Sequence, residues 1–109
     1  MSQKHRSLAL AAALTALATP ALSQRLDDAS QRARLAQACG NELSLSQAGC
    51  VCLTGRAMDE LSNLQRDYLL ATAIAPAAAE RMRKDVSQDD IQILATFLAT
   101  AEQECAAAK

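Results

Sequence analysis

The sequence predicts an all-α protein: a small bundle of four to five short helices stapled by two disulfides. Three observations predict it. No stretch alternates polar and apolar with period two, and β-branched runs are scarce. Ser46, Ser62 and Ser87 each stand just before a helix-periodic segment, as N-caps do. Four cysteines, an even number, fall in one small chain behind an export-type N-terminus.

The elements follow in order. Leu26, Ala29, Ala33 and Ala36 step by three and four, and Cys39 extends that face. Asp27 and Asp28 suit a first turn, where the helix dipole favours carboxylates. Gly40-Asn41 reads as a stop signal, so helix one is expected over 25–39. Ser46 caps helix two, with an apolar face of Cys50, Leu53, Ala57, Leu61 and Leu64. Gly49 and Gly55 each weaken a helix by about 1 kcal/mol relative to Ala. Close approach of another helix near the cysteines would compensate. Ser62 and Gln65 match a capping box that restarts the helix at Asn63. Residues 68–75 form the most continuous apolar stretch, and helix three is expected to be the most buried. Pro76 ends it or opens the next piece, an Ala-rich segment over 77–84. Ser87, followed by Asp90 three residues on, starts the last helix over 88–106, and Val86 is placed to staple to Ile91. Its stripe is Ile91, Leu94, Leu98 and Ala101, ending at Cys105.

The chain divides into residues 1–23, read as a secretory signal peptide, and a single helical domain over 24–109. Lys4, His5 and Arg6 precede an 11-residue apolar run, Leu8 to Ala18, and small residues follow Pro20. A membrane-spanning helix needs roughly 20 apolar residues, so no membrane span is expected after signal removal. The cut is expected near Ser23/Gln24. Export to the periplasm, or secretion, follows. Gln47-Ala48-Gly49-Cys50 resembles a lipid-attachment site but stands too far downstream to act as one.

The expected mature chain has nine basic and twelve acidic residues, a net charge of −3. That excludes a nucleic-acid binder driven by bulk electrostatics. Of the 109 residues 25 are alanine, and only 20 of those in the mature part are large and apolar. A core so small seldom supplies more than about 3–5 kcal/mol. Crosslinks are therefore expected to carry much of the stability. Cys50 and Cys52 are turned by about 200° on a helix and face opposite ways. Two connectivities satisfy this: Cys39–Cys50 with Cys52–Cys105, or Cys39–Cys52 with Cys50–Cys105. In both, helix two is the central post.

Catalysis is not expected, nor is a cofactor. The only histidine is His5, so the mature chain lacks the usual base for a Ser or Cys nucleophile. Asp27-Asp28, Asp59-Glu60 and Asp89-Asp90 are sequence neighbours that point to different faces. Cys50-Val51-Cys52 is a redox or Cu(I) alternative, with Met58 as a third soft ligand. Thioredoxin-like pairs, however, are spaced by two residues, and exported thiolates usually oxidise. The expected role is therefore a surface: protein–protein interaction with an unidentified partner in the cell envelope. Tyr68, Leu69 and Ile74, from the apolar 68–79 stretch, are the candidate contacts. Arg81, Arg83 and Lys84 form a small basic cluster suited to an acidic partner. Oligomeric state is not legible.

Overall fold

The computed structural model describes residues 26–108, and these are helical nearly throughout. The helices are α1 (Asp28–Glu42), α2 (Gln47–Glu60), α3 (Asn63–Ile74), α4 (Pro76–Met82) and α5 (Gln88–Cys105), with a 3₁₀ turn at Arg83–Asp85. The predicted signal peptide and its cut lie outside the described residues. No described helix is long and apolar enough to cross a membrane.

Local chemistry sets most boundaries. Asp27, Ser46, Ser62 and Ser87 each accept a backbone N–H three residues on. Full capping boxes form at Ser62/Gln65 and Ser87/Asp90. Pro76 occupies the first turn of α4, where its missing N–H costs nothing.

Helix one departs from expectation in two ways. It runs through Gly40 and Asn41 to Glu42. A glycine stop works by adopting the left-handed conformation, and no described glycine has a positive φ. Instead Leu43, extended, donates its N–H to the Cys39 carbonyl and packs against the core. The buried face is also different. It is Gln31, Leu35, Ala38 and Cys39, while Ala29, Ala33 and Ala36 face solvent. Alanine is small enough to sit on either side. The face is chosen by Leu35, and by Gln31, which has a buried polar partner.

Both disulfides form in the first of the two expected connectivities. Cys39 bonds Cys50 and Cys52 bonds Cys105, with Cα separations of 5.7 and 5.6 Å. Helix α2 is thus the post, tied on one side to α1 and on the other to α5.

The pairings fix helix directions. Gln31 near the start of α1 bonds Asn63 and Asp67 near the start of α3. Gln65 near the start of α3 bonds Asp90 near the start of α5. The bridges join the start of α2 to the ends of α1 and α5. So α1, α3 and α5 run parallel and α2 runs against them. Packing is close around α1–α2, α2–α5 and α1–α3, and sparser between α3 and α5.

The core holds Leu35, Leu53, Leu61, Leu70, Leu94 and Phe97, with Ala57 and Ala101 completely enclosed. Helix α3 has the largest buried share of the five described helices, as its apolar sequence predicts, but its last turn is open. Tyr68, Leu70 and Ala71 point inward, but Thr72, Ala73 and Ile74 are exposed.

Candidate functional site

The weakly closed α3–α5 seam opens into an apolar cleft. Its floor is Leu35 and Ala38 of α1 and Leu53 of α2. Leu69 and Ala73 form the α3 wall, and Leu98 stands on the α5 side. Glu42, Leu43 and Thr72 edge this hollow, whose volume is about 160 Å³. A second, shallower hollow of about 380 Å³ shares Leu98 and continues along α5 past Glu102 to Ala106, with Ser44 and Leu45 opposite. The cleft arises because α3 ends with small or exposed residues while α5 offers Leu98 rather than Phe97 to the seam. Phe97 turns into the core instead.

The expected contact residues are dispersed. Leu69 lines the cleft. Tyr68 is buried in the core. Ile74, 51% exposed, lines a neighbouring small hollow with Arg34, Gln37, Asn41 and Ala38, the last shared with the cleft. Arg81, Arg83 and Lys84 are exposed on α4 and the 3₁₀ turn, and Arg83 faces Glu80 at 3.6 Å. None of the three lines the cleft. Leu98, Ala73 and Leu43 were missed as contacts. Leu98 reads as one more core position in a stripe, and only the looseness of α3 against α5 distinguishes it.

All four cysteine sulfurs are engaged in bridges. Cys50 and Cys52 thus have different, distant partners, and a dithiol would exist only after both bridges were reduced. Met58 packs partly buried against the core. Among the described residues no group of three His, Cys, Asp or Glu side chains gathers to hold a metal.

No protein-family model, curated protein or solved structure matches this chain.

A second polar feature was not anticipated. Arg66 is buried, and its guanidinium donates to Gln31 Oε1, to Asp28 Oδ1 and to the Met58 and Leu61 carbonyls. Gln31 in turn donates to the Asn63 carbonyl and to Asp67. Asn63 donates to the Leu26 carbonyl. Every partner is a group of this chain. It is a clamp holding the start of α1 onto the α2–α3 turn, not a site. Elsewhere, Arg56 bridges Glu60 and Glu104, linking α2 to the end of α5.

Two carboxyls are held below the ordinary carboxylate range. The Ser30 N–H does this to Asp27. For Asp90 the Ser87 N–H acts first and the Gln65 amide second. Both are capping groups. Their shifts follow from hydrogen bonding to the charged form, not from a catalytic role.

Proposed function

We propose that this protein is an exported, non-catalytic helical module that acts by docking another protein in the cell envelope, as an accessory, inhibitory, chaperone-like or immunity-type factor. The observation that carries the reading is the cleft between α3 and α5. Leucines line it, and no side chain of the described residues fills it. Open, mostly apolar concavities are where proteins take up ligands and partner segments. The two bridges support the setting, since they fit an oxidising compartment, and the periplasm is the one an export signal followed by disulfide formation suggests. They also keep the helices around the cleft in place without a large core.

The test is site-specific photocrosslinking in the producing cell. A photoreactive residue at Ala73, on the cleft wall, should give a discrete protein adduct in the exported fraction. The same residue at Glu80, on α4, should not. No adduct at Ala73, or equal adducts at both positions, would reject the docking reading. N-terminal sequencing of the same material should begin at or near Gln24.

A further inference from the structure

We propose that the α3–α5 cleft receives a short basic amphipathic helix of another protein. This rests on the docking reading above and adds the chemistry of the partner. Shape argues for a helix. The cleft walls are helices, so there is no strand edge to extend. The first hollow, about 160 Å³, is comparable to a cavity that accepts one benzene-sized group, which suits a single leucine or phenylalanine anchor. The second continues from Leu98 towards Ala106, about 12 Å along α5, or a little over two helical turns. Anchors at i, i+3 or i+4 and i+7 recur at that spacing.

Charge argues for a basic partner. Glu42 and Glu102 are the only charged side chains lining the two hollows, and both are carboxylates. Neither joins an ion pair found among the described residues. Three helices, α1, α3 and α5, end here, and none has a basic residue in its last turn. Each such end carries about half a negative charge; the start of α2 opposes those of α1 and α5, and the start of the short α4 follows directly on that of α3. Arg34 lies in the neighbouring hollow beside Ile74, which meets the cleft only at Ala38. Arg81, Arg83 and Lys84 stand just before α5 begins, at the far end of that helix. A cationic helix is therefore drawn to the mouth of the cleft, and an anionic one is repelled.

A display library of helical peptides, unbiased in charge, panned on the purified oxidised protein tests this. Recovered peptides should carry leucine or phenylalanine at i, i+3 or i+4 and i+7, with a net positive charge. Amide shifts should map to Leu69, Ala73 and Leu98. The double variant Glu42→Gln/Glu102→Gln should weaken binding about ten-fold at low salt and little at high salt. Ala73→Gln, at an exposed position, should weaken it at least as much by filling the mouth, while leaving the circular dichroism unchanged. Acidic or neutral peptides that still shift the cleft would overturn the basic partner but leave the docking cleft standing. Recovery of no peptide, shifts elsewhere, or a concentration-dependent dimer that competes for the cleft would also overturn the proposal. The photocrosslinking at Ala73 then decides separately whether docking itself survives.

Discussion

Arg66 Nε donates to Gln31 Oε1 at 2.7 Å, joining α3 to α1 from within the protein. The same guanidinium reaches Asp28, but that carboxylate is 69% exposed, so the ion pair itself adds little. The hydrogen bonds inside are the larger effect. Removing the guanidinium leaves Gln31 Oε1 and the Leu61 carbonyl enclosed without partners. Arg66→Met is expected to cost about 2–4 kcal/mol, whereas Asp28→Asn should cost under about 1 kcal/mol. Arg66→Lys should recover little, because one ammonium cannot reproduce the planar fork. Urea midpoints at unchanged slope would measure all three. Equal losses for Arg66→Met and Asp28→Asn would mean that the ion pair carries the clamp.

The bridges should contribute unequally. Cys39–Cys50 closes a separation of 11 residues and Cys52–Cys105 one of 53. The chain-entropy relation gives about 3 kcal/mol for the first and about 4 kcal/mol for the second. Replacing Cys52 and Cys105 together by alanine should lower stability more than replacing Cys39 and Cys50. The fully reduced protein should melt well below the oxidised one. Unfolding of the two double variants in urea checks the order, and an unchanged melting temperature on full reduction would show that packing alone suffices.

The two glycines of α2 look alike in sequence and are opposite in space. A Cβ at Gly49 would meet the Cys105 carbonyl oxygen at 3.0 Å and Leu45 Cβ at 3.2 Å, whereas a Cβ at Gly55 would meet nothing within 4 Å. The Cys105 backbone cannot retreat easily, because its side chain is bonded to Cys52. Gly55→Ala should therefore stabilise by up to about 1 kcal/mol, the helix-propensity gain. Gly49→Ala should destabilise, since the clash outweighs that gain. Thermal melts of the two variants should move in opposite directions.

These contrasts mark where the sequence was informative. The caps at Ser46, Ser62 and Ser87 were readable because their chemistry acts over three residues. Helix α2 as a two-sided post was readable from the Cys50/Cys52 spacing, and the close approach near the cysteines is real at Gly49 though not at Gly55. The face of α1 was not readable. Gln31 and Arg66 are 35 residues apart, and each alone resembles a solvent-facing residue. The pairing of Cys39 with Cys50 rather than Cys52 depends on the rotational register of α1 against α2, which no local signal carries. The cleft was hidden for the same reason. Leu69 was expected as a contact, but Leu98 belongs to an ordinary apolar stripe until α3 and α5 are seen to part.

Acid should loosen the junction between α3 and α5 through Asp90. Its carboxylate accepts the Ser87 N–H at 3.0 Å and the Gln65 amide at 2.9 Å, and its folded pKa lies below the ordinary value. The stabilisation is then fully present above the unfolded carboxylate pKa, about 4. It is lost as pH falls through the lower folded value, because the folded state must then accept a proton it binds weakly. Asp27 at the cap of α1 contributes in the same direction. The melting temperature should hold between pH 7 and about pH 5 and fall below about pH 4. Asp90→Asn should start lower at pH 7, because an amide caps less well here, and should lose less on acidification, because it has no proton to take up. Melting curves of the two proteins from pH 7 to 2.5 measure this. Parallel curves would show that Asp90 is not among the groups whose protonation unfolds the protein.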